Sequence, residues 1–135
     1  MCCLTTTNEK PLVYMASPYS DSDRFLNTMA AVAMYRQLLK EDVVNPVCPL
    51  LSGLIPAADD IPWDRWMEVD LAIMRKCDAV FSFNVRVNEY YLAISRGRAR
   101  EVIEAKNLGI PVFTEKKELY VWAVQFSQPE EHTDE

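Results

Sequence analysis

The chain has 135 residues, which suits a single domain, because one core is usually built from about 100–150 residues. Its one histidine, His132, lies in a polar tail that cannot position an imidazole, and its three glycines cannot form a GxGxxG or GxxxxGK[ST] phosphate motif. An enzyme of this sequence must therefore work with carboxylates, hydroxyls, arginines or thiols. A net charge of −6 disfavours non-specific nucleic-acid binding.

Short apolar runs alternate with segments of helical periodicity. The runs predict strands at residues 11–16, 43–48, 78–83 and 110–113, although Pro46 weakens the second. Helices are predicted at residues 23–40, 63–76, 97–108 and 115–126, with Gly109 as a C-cap. In the first helix the predicted side is formed by Phe25, Met29, Val32, Ala33 and Arg36.

This alternation predicts an α/β fold, a three-layer sandwich around a mostly parallel sheet of four to five strands. Residues 84–95 predict a long irregular loop. We expect a flexible N-terminus at residues 1–10, one domain at residues 11–127 and a disordered acidic tail at residues 128–135. Ligands of such sheets bind beyond the carboxyl ends of the strands, where the loops at residues 17–23, 49–62 and 84–97 follow.

Localisation and metal content follow from simpler counts. No apolar run reaches the roughly 18 residues of a membrane span, and the N-terminus lacks a signal-peptide pattern, so we expect a cytosolic protein. Cys2, Cys3, Cys48 and Cys77 fit no metal spacing, so we expect reduced thiols and no metal site.

Asp70 is unusual because it shares the apolar face of the second helix. Trp66 and Met67 precede it by one turn, and Ile73 and Met74 follow it by one turn. Burial of a carboxylate raises its pKa unless a partner compensates. Asp70 is therefore either paired with an arginine or loop amides, or it is a general acid.

Three arginines at the start of the third helix are also unusual, because each opposes the helix macrodipole. They are Arg96, Arg98 and Arg100. Neighbouring acids such as Glu104, Glu89 or Asp78 would neutralise them. Alternatively, the helix N–H groups, Ser95 and at least one arginine bind a phosphate or carboxylate ligand.

Glu101 lies within the first two turns of the same helix. A carboxylate near a helix N-terminus is stabilised as the anion, although first-turn glutamates are common without any function. With Asp70 held toward its acid form, the two carboxylates resemble pairs that divide acid and nucleophile roles in glycosidic cleavage. Aromatic residues near strand ends, Tyr14, Tyr19, Trp63 and Trp66, are either core residues or stack on a base.

Several motifs occur in order between residues 11 and 114. They are VYMASPYS at residues 13–20, WMEVDL at residues 66–71, CDAV at residues 77–80, SRG at residues 95–97, EVIEA at residues 101–105 and GIPV at residues 109–112. The ordered set resembles the nucleoside 2-deoxyribosyltransferase-like superfamily, and within it a small branch that shares the ASPYS turn and a W-x-x-x-D helix.

The resemblance implies a flavodoxin-like or Rossmann-like fold, a homodimer or larger homo-oligomer, and cleavage of the N-glycosidic bond between a base and (deoxy)ribose without metal or cofactor. By position, Glu101 resembles the nucleophile, Asp70 the acid that protonates the base, and Tyr14 the tyrosine that orients the nucleophile. No nucleic-acid or membrane partner is expected.

The residue six positions before the nucleophile separates the activities of this superfamily. It is serine in nucleoside 5′-monophosphate glycosidases and aspartate in base-exchanging transferases, and here it is Ser95. The resemblance therefore implies a phosphate site formed by Ser95, Arg96, Gly97 and Arg98, with Ser17 and Arg24 as further phosphate or sugar contacts. Pro18 and Tyr19 replace a glycine-rich turn, which would change what the site admits.

The expected function is hydrolysis of a (deoxy)nucleoside 5′-monophosphate to free base and sugar phosphate through a glycosyl-Glu101 intermediate. Base exchange between nucleosides is the near alternative, and a non-catalytic nucleotide sensor is the alternative from another class. Cleavage of a dinucleotide such as NAD would need room for a second nucleotide. The segment at residues 84–95, with Tyr90 and Tyr91, is longer than in compact members and would remodel the pocket edge.

Overall fold

A computed structural model describes residues 9–16, 24–49, 61–83, 86–88, 91–92 and 96–127. Its strands are Leu12–Ala16 (β1), Asn45–Val47 (β2), Ala79–Ser82 (β3), Arg86–Asn88 (β4), Tyr91–Leu92 (β5) and Val112–Phe113 (β6). Its helices are Arg24–Glu41 (α1), Trp63–Met74 (α2), Arg96–Asn107 (α3) and Lys116–Ser127 (α4). The predicted flexible start, apart from residues 9–10, and the predicted acidic tail lie outside the described residues.

Four strands form one parallel sheet in the order β2-β1-β3-β6. β1 is therefore a central strand, and Tyr14 at its middle pairs with Val47 on one side and Val80 on the other. The chain leaves β1 for β2 and returns past it to β3, which makes the β1/β3 boundary the topological switch point. The predicted α/β fold with a Rossmann-like or flavodoxin-like parallel sheet is confirmed, and Pro46 lies in the edge strand β2, where proline is tolerated.

Alternation along β1 sends side chains into two separate layers. Val13 and Met15 join a core with α1 and α4, whereas Tyr14 and Ala16 join a core with α2 and α3. Because both faces of the strand are covered, β1 is apolar at successive positions, as a buried parallel strand should be. The predicted three-layer arrangement is confirmed, and the α2/α3 layer is the one that contains Asp70 and Glu101.

The side of α1 on which Met29, Ala33 and Arg36 lie is not its buried side. Thr28, Ala31 and Leu38 are buried, whereas Met29 is 48% exposed. Exposed positions also include two other members of the predicted side, Ala33 and Arg36. Apolar residues occur nearly all round α1, so periodicity could not select a face, and packing against the sheet selected it instead.

The third helix ends where Gly109 was predicted to cap it. Gly109 has a φ of 76°, the left-handed region, and its N–H donates to the carbonyl of Lys106 at 3.2 Å. The next N–H, of Ile110, donates to the carbonyl of Ala105 at 2.9 Å. These bonds satisfy carbonyls at the end of α3 and turn the chain into β6.

The prediction of an irregular loop at residues 84–95 is wrong. Within them β4 and β5 form a two-stranded antiparallel sheet in which Arg86 pairs with Leu92 and Asn88 with Tyr91. Valines before an Asn-Glu pair and tyrosines after it are the sequence signal for such a hairpin. The segment inserts this hairpin between β3 and the helix that carries Glu101.

Two of the four cysteines lie in the described part of the chain. Cys48 and Cys77 are free and buried, so the prediction of reduced thiols in apolar surroundings is confirmed for this pair, whereas Cys2 and Cys3 lie outside the described residues. In the described part of the chain, no helix is both long enough and apolar enough to span a membrane.

The left-handed conformation of Gly109 gives a stability prediction. Gly109→Ala should lower the free energy of unfolding by about 1 kcal/mol, because alanine resists this φ even though its Cβ would meet no atom within 4 Å. Gly109→Asn should lose less, since asparagine tolerates left-handed backbone. Urea unfolding of both variants measures this, and equal stability of wild type and Gly109→Ala would contradict it.

Candidate active site

A buried hydrogen bond joins β1 to α3. The Tyr14 hydroxyl donates to Oε2 of Glu101, 87 positions further along the chain. Tyr14 is fully buried and Glu101 is only 5% exposed. α3 packs against β1, β3 and β6, so it carries Glu101 over the switch point of the sheet.

Apolar side chains surround this bond. They come from both helices and both central strands of the layer: Ala16, Met67, Leu71, Met74, Val80 and Ala105. Such packing excludes water, which strengthens every electrostatic interaction inside it and disfavours isolated charge. The Tyr14 hydroxyl compensates for part of the lost hydration of Glu101.

Asp70 lies beside the Tyr14–Glu101 bond on α2. Burial raises the pKa of Asp70 from 3.8 to about 6, so the predicted direction of its shift is confirmed. Among the described residues no arginine or other side chain pairs with this carboxylate, so the reading as a structurally paired aspartate gains no support there. Its charge nevertheless acts on both Tyr14 and Glu101.

The expectation that Glu101 is held as an anion is wrong. Burial raises the pKa of Glu101 from 4.5 to about 8, the hydrogen bond from Tyr14 opposes this rise, and the like charge of Asp70 adds to it. Glu101 is the sixth residue of α3, beyond the first turn in which the macrodipole acts, so desolvation dominates. Burial therefore favours the neutral form of Glu101, as it does that of Asp70.

Tyr14 can only act as a hydrogen-bond donor in this site. Burial, followed by the charges of Glu101 and Asp70, raises the pKa of its hydroxyl far above the ordinary value. It therefore keeps its proton at any pH at which the protein folds, and it orients Glu101 rather than accepting a proton. Full burial also excludes Tyr14 from stacking on a base, which was one of the two readings of its sequence position.

The residues predicted to bind an anion have different outcomes. Arg96, Gly97 and Arg98 form the first turn of α3, and Arg24 begins α1. Both helices start after the two strands of the switch point. Ser17, Pro18, Tyr19 and Ser95 lie outside the described residues, so their contacts stay predictions.

The acids predicted to neutralise the arginines have other partners in the described structure. Glu104 lies 3.4 Å from Arg75, which directly follows α2, and Asp78 accepts a hydrogen bond from the Leu12 N–H at 2.8 Å, whereas Glu89 lies outside the described residues. Arg100 is exposed and lines a groove.

This groove between α2 and α3 was not predicted. Its volume is about 570 Å³, and it is lined by Asp64, Arg65, Glu68, Leu71, Arg75 and Arg100. The signal was present in the sequence as charges at helical spacing along one edge of α2. Within the ranges that the structure describes, no three His, Cys, Asp or Glu side chains are grouped to hold a metal ion.

The sequence matches, over residues 11–115, the family described as Domain of unknown function (DUF7768). The chain belongs to the DUF7768 family. No curated protein matches it. The DUF7768 region begins just before β1 and ends just before α4, so it contains Tyr14, Asp70 and Glu101 together with all four strands of the main sheet.

The raised pKa of Glu101 makes the stability of the protein pH-dependent. A carboxyl whose pKa is higher in the folded state stabilises the fold below its unfolded pKa of 4.5, and that stability is lost as the pH rises to about 8. Asp70 contributes in the same direction up to about pH 6. Between pH 6 and 8 the free energy of unfolding should therefore fall by up to about 1.4 kcal/mol per pH unit, and the melting temperature should fall with it.

Glu101→Gln should flatten this slope and be more stable than wild type at pH 8, because the amide keeps an acceptor for Tyr14 without a charge. Thermal unfolding at several pH values measures both effects. Glu118→Gln, at an exposed position of α4, is the control and should keep the wild-type slope. An equal slope in wild type and Glu101→Gln would contradict the burial argument.

Proposed function

We propose that this protein is an N-glycosidase that hydrolyses a (deoxy)nucleoside 5′-monophosphate to free base and (deoxy)ribose 5-phosphate. The observation that carries the proposal is the buried Tyr14–Glu101 hydrogen bond at the switch point, with Asp70 close enough for its charge to act on both. The resemblance to nucleoside 2-deoxyribosyltransferase-like proteins supports the same roles for these three residues.

The reaction divides into two steps. In the first, a Glu101 oxygen bonds to C1′ of the sugar, the C1′–N bond breaks, and Asp70 gives its proton to the departing base. In the second, Asp70 takes a proton from a water molecule, the water oxygen bonds to C1′, and Glu101 is released as the carboxylate. Tyr14 holds the nucleophile in place by donating to its other oxygen. No step requires a metal or an organic cofactor.

Burial raises the pKa values of both carboxyl groups, that of Glu101 to about 8 and that of Asp70 to about 6, so both groups titrate close to neutral pH. The reaction needs Glu101 as the anion and Asp70 in its acid form. Positive charge that develops at C1′ favours the Glu101 anion, and the proton that Glu101 loses then belongs on Asp70.

The start of α3 is the proposed phosphate site. Free N–H groups in the first turn of a helix bind anions, and Arg96 and Arg98 belong to this turn. The proposal adds Ser95, which precedes the turn in sequence, and Arg24 at the start of α1. Serine at this position favours a 5′-phosphate, which aspartate would repel, so hydrolysis of a nucleotide is preferred to base exchange on a free nucleoside.

One observation favours a non-catalytic sensor on the same fold. Glu101 is nearly inaccessible, and burial raises its pKa, as in a purely structural Tyr–Glu pair. The sensor and the enzyme differ in the role of Glu101. In a sensor, Glu101→Gln leaves nucleotide-induced thermal stabilisation unchanged, and neither the wild type nor the variant turns over a nucleotide.

We also propose that the protein forms a homo-oligomer in the cytosol. α2 exposes Val69 and Ile73, each 38% exposed, on either side of Asp70 in the sequence. A second copy that covered these side chains would further dehydrate the carboxylate. Sedimentation velocity measures the oligomeric state directly, and a monomer at all accessible concentrations would contradict it.

Base release tests the proposed reaction. Purified protein incubated with a panel of ribo- and deoxyribonucleoside monophosphates should release free base from at least one, as seen by chromatography. Glu101→Gln should abolish release, and Asp70→Asn should lower it by roughly 10²–10⁴-fold. Asp64→Asn, at an exposed aspartate of the same helix, is the matched control and should keep wild-type activity. No release from any nucleotide would refute the proposal.

The pH profile tests the division of roles. The value of kcat/KM should be bell-shaped, with limbs near pH 6 and pH 8, because one group must be protonated and the other ionised. Asp70→Asn should lose the alkaline limb, since only ionisation of Glu101 is then required. A substrate whose base departs readily as an anion should largely restore the rate of Asp70→Asn. An alkaline limb that persists in this variant would show that Asp70 is not the acid.

A further inference from the structure

One ion pair joins the two helices that carry the carboxylates. Nη2 of Arg75, directly after α2, lies 3.4 Å from Oε1 of Glu104 in α3. Arg75 is five residues after Asp70, and Glu104 is three residues after Glu101, so the ion pair lies within about one and a half helical turns of each carboxylate.

A second ion pair, within α2, provides a comparison. Arg65 and Glu68 are 2.5 Å apart, but both belong to α2. An ion pair within one helix cannot influence the distance between two helices. The Arg75–Glu104 pair, by contrast, joins the end of α2 to α3.

We propose that Arg75 is a positioning residue for the carboxylate pair: by binding Glu104 it sets the separation of α2 from α3, and with it the separation of Asp70 from Glu101. The inference rests on the proposed function, because it assigns Arg75 a part in the geometry of that reaction. Arg75 itself is half-exposed and acts only through the two helices.

The groove between the two helices is lined mainly by polar side chains. Their outer edges are separated by the groove of about 570 Å³, and Leu71 is the apolar residue among its six lining side chains. Leu71 and Ala105 pack in the core at the inner edges. Apolar contact therefore joins the two helices at their inner edges, whereas five of the six side chains that line the groove between their outer edges are charged.

The separation matters because the two carboxylates repel each other. Coulombic repulsion falls with distance and is strong in surroundings that exclude water. A wider separation weakens the repulsion, so Glu101 ionises at lower pH, and it moves the acid away from the atom that must receive its proton. Both effects are measurable, the first without any enzymatic turnover.

Three double variants separate positioning from general stability, and each keeps the net charge of the chain. Arg75→Gln/Glu104→Gln removes the interhelical pair, and Arg75→Glu/Glu104→Arg restores it in reverse. Arg65→Gln/Glu68→Gln removes the pair within α2 and is the matched control. Removal of both charges in each variant avoids leaving one unpaired charge near Glu101.

The neutral interhelical variant should lower kcat/KM roughly threefold to tenfold and move the alkaline limb of the pH profile to lower pH. The reversed pair should return both to about the wild-type values, and the control variant should change neither. Recovery in the reversed pair is decisive, because a nonspecific loss of stability would not be repaired by exchanging the two charges.

Other outcomes overturn the proposal. It fails if the neutral variant behaves as wild type, or if the control variant shows the same loss and the reversed pair restores nothing. If wild type releases no base from any nucleotide, the proposed function fails, and the pH dependence of thermal unfolding then decides. A shift of its upper limb in the neutral variant, reversed in the exchanged pair, supports the positioning role, and an unchanged limb overturns it.

Discussion

The Tyr14–Glu101 hydrogen bond is the interaction on which the rest of the site depends. A carboxyl group in a layer that excludes water is stable only if a polar partner replaces its hydration, and the Tyr14 hydroxyl is that partner. The bond requires β1 to be a central strand, because only a strand covered on both faces can bury a tyrosine completely and still present its hydroxyl to a helix above the sheet.

Desolvation has two opposite consequences for this site. It stabilises the neutral form of Glu101, which is the wrong form for a nucleophile, and it strengthens the electrostatic response to a cationic sugar. In the proposed reaction, positive charge that develops beside Glu101 converts it to the reactive anion. Interactions with a remote phosphate would supply the free energy of that conversion, as binding energy far from the reacting bond often does.

The order of strands explains why residues from distant parts of the chain meet. β1 and α3 are separated by most of the sequence, but the return of the chain past β1 to β3 brings α3 over their boundary. Asp70 approaches from α2, which joins β2 to β3 across the same face. Each of the two helices on this face therefore places one carboxylate, Asp70 or Glu101, near the β1/β3 boundary, where ligands of doubly wound sheets generally bind.

Sequence patterns predicted the elements whose signals are local. The four strands of the main sheet, the four helices and the cap at Gly109 followed from apolar runs, periodicity and one glycine, with bounds that differ by a few residues. Periodicity did not identify the buried face of α1, because the helix is apolar nearly all round and its inner face depends on what it packs against. The prediction of a loop was wrong for the β4–β5 hairpin, because it followed from the length of the connection and not from its valines and tyrosines.

The candidate site shows the same division between local and tertiary information. The sequence by itself determined that Asp70 lies on an apolar helix face and would be driven toward its acid form, because the spacing of its neighbours is a local property. Only the tertiary structure decided that burial raises the pKa of Glu101, that Tyr14 binds it, and that Arg75 reaches Glu104. The physical reason is that burial and through-space contacts depend on which elements pack together, and no pattern within a single element contains that information.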